Sequence, residues 1–391
     1  MNWRGFLNAA FGVWLISSPF TFGYKSVTLV YSDCIAGFLA IFLGLLTIHR
    51  PWFAWGTAII GLWLQLAPLV FWAPEAASYL NDTFIGMLLL VFSMIIPDTP
   101  GAKKSYGAEV PPGWSYNPSS YLQRTPIICL NLICWLIARY LAAFQLGFID
   151  HVWDPFFGDG TLHVLTSNVS KAFPVSDAGL GATAYLLETL FAFGDTRRWH
   201  TMPWFVMMFG ILAVPVSCVS IVLIILQPTI VGAWCGLCLV TAVLMLLIIP
   251  FTVDEVLATL QVLKKGFHEG VFWKTFWRGM DFQPGPDDPR TPKLNARWGV
   301  LIQAMCHGVS IPWNLLITAA LGIYTMLKGA YIPGALITVF SVISWGEVTR
   351  IFRYAIIPFG IWLLFLYPLL GIFGIALSFR KGKIRESYGN I

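Results

Sequence analysis

Two cysteines stand three residues apart in the string Trp234-Cys235-Gly236-Leu237-Cys238, inside an apolar run from about Pro228 to Pro250. On a helix, residues i and i+3 share a face, and their α-carbons lie roughly 5 to 6 Å apart, within reach of a disulfide. Such a pair can alternate between dithiol and disulfide, with the thiolate as the attacking species. The same spacing would serve half of a zinc site. A second half is missing, because Cys129 and Cys134 are five apart and no His stands at ligand spacing, so no metal is expected. Pro228 suits a first helical turn, which would put Cys235 about two turns in, where the helix dipole has largely faded. Any lowering of the thiol pKa would then have to come from neighbouring side chains. The competing reading is a structural pair of small buried cysteines.

The run that holds this pair belongs to a chain made of such runs. With 57% hydrophobic residues, 11% charged and 18 Trp, and a mean hydropathy of +0.73, the 391-residue chain is expected to be an all-α polytopic membrane protein. Apolar segments at 4–18, 33–48, 52–71, 83–96, 125–148, 178–194, 203–226, 229–250, 312–327, 333–346 and 355–378 give about 11 transmembrane helices. The net charge of +5 is explained by loops facing a negative membrane surface, with no basic tract suited to nucleic acid. Cys34, Cys129, Cys134, Cys218 and Cys306 are scattered through apolar segments and read as inert buried hydrophobes.

Basic residues fall at Arg4, His49-Arg50, Lys103-Lys104 with Arg124, Arg197-Arg198, and Lys264-Lys265 with Lys274 and Arg278. All these groups share the cytoplasmic side if the amino terminus lies inside. An odd number of crossings would leave Arg380-Lys381-Lys383-Arg385 outside, unless residues 299–311 add a short passage. Arg4 before an apolar stretch resembles a secretory signal, but the stretch is half of a repeat unit and is expected to be retained.

That repeat is direct. Gly12, Trp14, Leu15, Pro19, Asp33 and Gly37 recur 49 residues on as Gly61, Trp63, Leu64, Pro68, Asp82 and Gly86, each unit reading helix, Pro-containing loop, helix. A weaker echo closes the chain at Gly322-Ile323-Tyr324 and Gly360-Ile361-Trp362-Leu363. The strings Ser17-Ser18-Pro19-Phe20 and Ser310-Ile311-Pro312-Trp313, with the Gly-x-Trp-Leu lead, resemble the bacterial SPW membrane repeat. Asp33 and Asp82 read as helix N-caps near the interface, with a proton relay as the rival. Glu347, Arg350 and Arg353 read as a solvated interfacial cluster. The expected organisation is two SPW-like units over 1–96, a cytoplasmic linker over 97–123, a four-helix bundle over 124–251, a cytoplasmic or interfacial segment over 252–297, and degenerate repeat helices over 298–391. Aromatics from Phe267 to Trp277, interleaved with Lys264, Lys265, Lys274 and Arg278, suit a helix lying in the interface.

The central block carries a second resemblance. Val164-Leu165-Thr166-Ser167, Phe173, Gly181, Tyr185, Arg197-Arg198-Trp199 and Cys235-Gly236-Leu237-Cys238 stand in an order and spacing similar to the vitamin K epoxide reductase family. The resemblance implies a four-helix bundle around a quinone, menaquinone or ubiquinone, with Cys238 facing the quinone and Cys235 exchanging with a donor thiol. It further implies quinone contacts from Ser167, Asp177, Gly181 and Tyr185, and a bacterial inner-membrane setting with a periplasmic thiol protein as partner. There are departures: Thr161 stands where the second loop shuttle cysteine would be, no cysteine lies between Cys134 and Cys218, Asp177 replaces an Asn, and Ala242 replaces a Tyr. A Trp-Cys-Gly-x-Cys string is also similar to that of thioredoxin, but nothing nearby alternates like the strand that precedes it there.

The expected function is therefore a membrane thiol:quinone oxidoreductase that works through Cys235 and Cys238 without its own loop shuttle. The alternative is a non-enzymatic membrane scaffold, or a quinone- or lipid-binding protein, that retains the bundle. A transporter would need charged residues and broken helices at mid-membrane, which the core offers sparsely.

Overall fold

Long apolar runs interrupted by Pro and Gly dictate helices joined by short turns, because backbone polar groups in a membrane must be satisfied within their own segment. The computed structural model describes residues 3–94, 107–283, 290–292 and 295–389. In chain order the helices are α1 (Trp3–Phe22), α2 (Val27–His49), α3 (Ala54–Val70), α4 (Ala76–Met94), α5 (Tyr121–Gln145), α6 (Gly160–Thr166), α7 (Asp177–Ala192), α8 (Arg198–Thr201), α9 (Pro203–Leu226), α10 (Gly236–His268), α11 (Phe272–Arg278), α12 (Trp298–Met305), α13 (Trp313–Leu327), α14 (Tyr331–Ile343), α15 (Ile356–Leu366) and α16 (Pro368–Ser378). Among the described residues the β structure is limited to an isolated bridge between Val309 and Gly346. Among the described residues eight helices are long and apolar enough to cross a membrane, and there are three shorter apolar ones. The expected all-α polytopic membrane class is borne out. The chain divides into two compact units, Met1–Ala102 with Leu132–Gly194, and Lys103–Asn131 with Asp195–Ile391.

In the first unit the 49-residue repeat becomes a pseudo-two-fold. A methyl group on Gly12 would sit 2.5 Å from the Gly37 carbonyl oxygen, and one on Gly61 would sit 2.7 Å from that of Gly86, so only glycine lets each hairpin close backbone to backbone. Trp14 Nε1 donates to Asn81 Oδ1 at 2.8 Å, and its repeat mate Trp63 donates to Ser32 Oγ at 3.0 Å, the reciprocal contact that two-fold packing requires. Asn8 Nδ2 donates to Thr57 Oγ1, its own repeat equivalent, and to Ser93 Oγ. Asp33 and Asp82 are not caps. They lie well inside α2 and α4, both fully buried, while Ser26 caps α2 by accepting from the Leu29 N–H.

The second unit revises three expectations. First, the apolar stretch 355–378 is an antiparallel pair, α15 and α16, broken at Tyr367-Pro368 because proline cannot continue the ladder. Gly371 lies against the Gly360 carbonyl, and Tyr367 Oη donates to Lys328 O at the turn end. The chain thus returns to the end it left, and Asn314 Nδ2 donates to Leu377 O and Arg380 O there. Second, Glu347, Arg350 and Arg353 are buried rather than solvated. Glu347 accepts the backbone N–H groups of Arg385 and Glu386, and Arg350 Nη2 donates to Ser310 Oγ at 2.6 Å. Third, α10 runs unbroken through Pro250 to His268, about 50 Å at 1.5 Å per residue. The stretch read as an interfacial helix is thus first an extension of α10, followed by the short α11 with Trp273 and Trp277 exposed.

Polar groups gather at that end of the second unit. Arg198 Nε and Nη2 each reach Glu255 at 2.6 Å, a bidentate pair with both side chains buried, and Ser119 Oγ adds a bond of 2.5 Å to the same carboxylate. The carboxyl-terminal segment docks beside it: Glu386 accepts from Arg290 Nη2 at 3.0 Å and meets His307 Nδ1 at 3.1 Å, while Tyr388 packs edge-on against Trp114 at 5.0 Å.

Candidate redox site

The cysteine pair sits in a turn, and the turn sets its chemistry. α9 ends in a wide turn over Gln227–Val231 that holds Pro228, and Gly232, with φ of 72°, closes it in the left-handed region. Residues 233–235 are not helical, and α10 begins only at Gly236. The expectation that Pro228 starts the helix and leaves Cys235 two turns in is therefore corrected. Cys235 is the N-cap of α10, and Cys238 is in its first turn. Gln227 makes this start possible, because its Oε1 accepts the Cys235 N–H at 3.0 Å.

The two sulfurs are bonded, with α-carbons 5.2 Å apart. Cys235 Sγ accepts the Cys238 N–H at 3.1 Å, so the capping acceptor of a 33-residue helix is a cysteine sulfur. A helix N-terminus favours negative charge. Cys235 is fully buried and Cys238 is half-buried. Trp234 meets Tyr331 edge-on at 6.0 Å, which anchors the residue before the pair.

The remaining site residues lie in the first unit. Asp177 is the first residue of α7, and its Oδ1 accepts from Gln145 Nε2 at 2.5 Å, from Ser170 Oγ at 3.1 Å and from the Ala178 N–H at 2.8 Å. Gln145 is the hub, because its Oε1 accepts from Ser176 Oγ and from the Ala178 N–H. Ser167 ends α6, its hydroxyl donating to Val164 O at 2.7 Å, and its Oγ accepts from the Ser170 N–H. Ser170 thus links Ser167 to Asp177. A methyl on Gly181 would lie 3.6 Å from the buried Tyr185 ring, an ordinary contact.

A cavity of about 480 Å³, within the range of small-molecule pockets, opens beside this network, lined by Trp72, Phe144, Leu165, Phe173, Gln145 and Ser170 among others. Its aromatic walls and amide and hydroxyl groups fit a quinone ring. Phe173 lines it, whereas Ser167, Asp177, Gly181 and Tyr185 do not.

Thr161 is fully buried, and its N–H and hydroxyl both donate to Asp154 Oδ2, at 3.1 and 2.6 Å. Asp154 Oδ1 takes the N–H groups of Phe156 and Phe157. The loop is pinned by one carboxylate where the resemblance implies a cysteine.

Sequence reasoning missed Gln227, Gly232, Gln145 and Ser170. Gly232 just after a Pro-containing turn was the available signal for a helix end; the two glutamines carry none, because their roles depend on tertiary placement. Arg198 and Trp199 prove to be packing residues: Trp199 is fully buried and donates to Glu109 O at 3.0 Å. Of the five single cysteines, Cys134 is buried as expected, whereas Cys129, Cys218 and Cys306 are exposed.

Residues 125–253 match the sequence model of the vitamin K epoxide reductase family, and residues 2–96 match that of the SPW repeat domain. Both resemblances are borne out, each over its own part of the chain. The first match is to a quinone-linked family of the membrane thiol/quinone oxidoreductase type. No curated protein and no solved structure matches the chain.

Proposed function

We propose that this protein is a thiol:quinone oxidoreductase whose working group is the Cys235–Cys238 pair. The observation that carries the reading is the closed pair at the amino-terminal end of α10, where Cys235 Sγ already accepts a backbone N–H. A partner thiolate attacks Cys235 Sγ, the Sγ–Sγ bond breaks, and Cys238 leaves as a thiolate. A second partner thiol then displaces Cys235, so the partner gains a disulfide and the chain holds the dithiol. In that displacement the Cys235 thiolate departs onto the Cys238 N–H and the positive end of the helix, which eases its release. A quinone, when bound, would supply the oxidant for the return step, in which the dithiol gives up two electrons and two protons as the Cys235–Cys238 disulfide re-forms.

Half-exposed Cys238 suits the quinone-facing role, and buried Cys235 suits the stabilised thiolate. Ser167, Asp177, Gly181 and Tyr185 are proposed as quinone-binding residues, either menaquinone or ubiquinone. Asp177, being an acceptor saturated by its neighbours, would act by holding Gln145 and Ser170 in place. The setting proposed is a bacterial plasma membrane with the amino terminus cytoplasmic, supported by the basic groups gathered at one end of the second unit. Thiol labelling with a mass-tagged maleimide, with and without reductant, tests the reading. Two tags that appear only after reduction, and are lost again on adding quinone, support it. Tags located on Cys235 and Cys238 themselves in the untreated oxidised protein, beyond those on the free cysteines, overturn it.

One observation favours a second reading, a quinone- or lipid-binding scaffold. Thr161, locked to Asp154, leaves the loop no cysteine through which to receive electrons. Purified protein that retains quinone yet never reduces it with any dithiol would put this reading first.

A further inference from the structure

A second cavity, of about 560 Å³, lies in the first unit as an apolar groove along α4 and the second half of α5, with walls from Trp14, Phe22, Leu80, Phe84, Met87 and Trp135. Trp14, Leu80 and Phe84 are each about half exposed, so the groove opens to the surface that lipid would cover. Its one charged lining residue is Arg139.

Arg139 lies on α5, six residues from the helix end at Gln145, roughly 9 Å along the axis. Its guanidinium does not snorkel toward that end. It lies back over Trp135, the residue one turn earlier, at 5.0 Å, with the Tyr79 ring at 5.3 Å, and Nη1 donates to Thr83 Oγ1 at 3.1 Å. Helical side chains lean toward the N-terminus, which explains the direction. Among the described residues no carboxylate lies within ion-pair distance of it. A cation held inside the apolar part of a membrane protein by rings and one hydroxyl keeps most of its five donors unused, and such a charge normally has an anionic partner.

We propose that this groove binds an acidic phospholipid, its phosphate on the Arg139 guanidinium and its acyl chains along Trp14, Leu80, Phe84 and Trp135. Charge complementarity selects an anion over a zwitterion, and the open apolar walls select a chain-bearing molecule over free phosphate. The site needs none of the cysteine chemistry, so it stands or falls apart from the redox reading.

The test is thermal unfolding of the full chain, delipidated in neutral detergent, with phosphatidylglycerol, phosphatidylcholine, inorganic phosphate or menaquinone added separately. Phosphatidylglycerol should raise the midpoint by several degrees more than phosphatidylcholine, and phosphate should do nothing. Arg139→Gln should abolish the difference between the two lipids, and Arg139→Lys should keep most of it. Native mass spectrometry should show one phosphatidylglycerol retained by the unaltered chain and by Arg139→Lys, lost in Arg139→Gln. Equal shifts from the two lipids on the unaltered chain overturn the proposal, and that measurement remains decisive if Arg139→Gln fails to fold. Retention of phosphatidylglycerol by Arg139→Gln also overturns it, as does a larger, Arg139-dependent shift from menaquinone.

Discussion

The turn at Cys235 and the turn at Thr161 are the two places where the resemblance implies cysteine, and they have been built in opposite ways. At the first, the backbone amide of Cys238 points at a sulfur, and Gln227 accepts the N–H of Cys235 before it. At the second, four donors converge on the Asp154 carboxylate: two N–H groups on one oxygen, the Thr161 N–H and hydroxyl on the other. One turn keeps a bond that can open and leaves the helix dipole to stabilise the charge produced. The other is closed by hydrogen bonds that no electron can open. The difference teaches that loop geometry and electron relay are separable, since Asp154 and Thr161 keep the loop folded with no sulfur in it.

The largest effect expected from breaking this contrast is at the cysteines. Cys238→Ser should reduce thiol oxidation in membrane vesicles to background, because the disulfide cannot form, and accumulate a covalent adduct in which the Cys235 thiolate has opened the disulfide of an oxidised partner, since Cys238 is no longer there to displace it. The adduct should vanish on a gel run with reductant and be absent from the Cys235→Ser/Cys238→Ser double variant. If Cys235→Ser accumulates the adduct and Cys238→Ser does not, the two roles are exchanged. Next in size is Asp177→Ala, which removes the acceptor that orders Gln145 and Ser170 beside the 480 Å³ cavity. Bound quinone in purified protein should fall several-fold, while the Cys235–Cys238 disulfide still forms; unchanged occupancy would remove Asp177 from the quinone site.

How far the sequence spoke depended on which interactions did the placing. Apolar run lengths were enough for the helices, because a bilayer leaves few alternatives. The 49-residue offset anticipated the reciprocal Trp14 and Trp63 contacts, since equal sequences in equal places must pack equally. The start of α10 was not legible. Pro228 is compatible with a first turn, and only the tertiary placement of Gln227 shows that the chain turns out at Gly232 and restarts at Gly236. Asp33 and Asp82 were misread for a related reason: a carboxylate near a helix entrance looks like a cap, and the pseudo-two-fold that buries both is a property of the assembled hairpins. The break at Tyr367 was legible in principle, because Pro368 interrupts an apolar stretch of only 24 residues, 355–378. Mean hydropathy does not register a break of that kind, and the two short helices read as one.

A smaller effect is expected from the other side of the contrast. Asp154→Ala strands the N–H and hydroxyl of buried Thr161, and each buried donor left without a partner costs about 1 to 3 kcal/mol, whereas the exposed N–H groups of Phe156 and Phe157 turn to water. Hydrogen exchange over residues 152–162 should accelerate by at least tenfold, with the reduction behaviour of Cys235 and Cys238 unchanged. If the disulfide chemistry changes as well, the two turns are not independent. Thr161→Val, which removes one hydroxyl, should show a milder version of the same exchange pattern.

The smallest effect concerns the carboxyl-terminal segment, which is held as the Asp154 loop is, by one carboxylate and several donors. Burial raises the Glu386 pKa, but hydrogen bonds from Arg290 and Ser115, with His307 and the Arg290 charge, outweigh it and hold the carboxyl down at about 2. A carboxyl whose folded pKa lies below its free value of 4.5 binds fewer protons folded than unfolded. Its contribution is therefore complete above pH 4.5, shrinks as the pH falls below that value, and is gone once the pH has passed through about 2. Docking of residues 380–389 should be insensitive to pH between 6 and 8 on this account, and Glu386→Gln should release the segment at neutral pH in the way acid does for the unaltered chain. Tryptophan fluorescence reads this directly, because Trp114 packs against Tyr388 and donates to Gln261, which itself donates to Gly389 O. An emission shift in acid that is missing from Glu386→Gln, already shifted at pH 7, would tie segment and carboxylate together; the same acid shift in both proteins would mean that another group releases the segment.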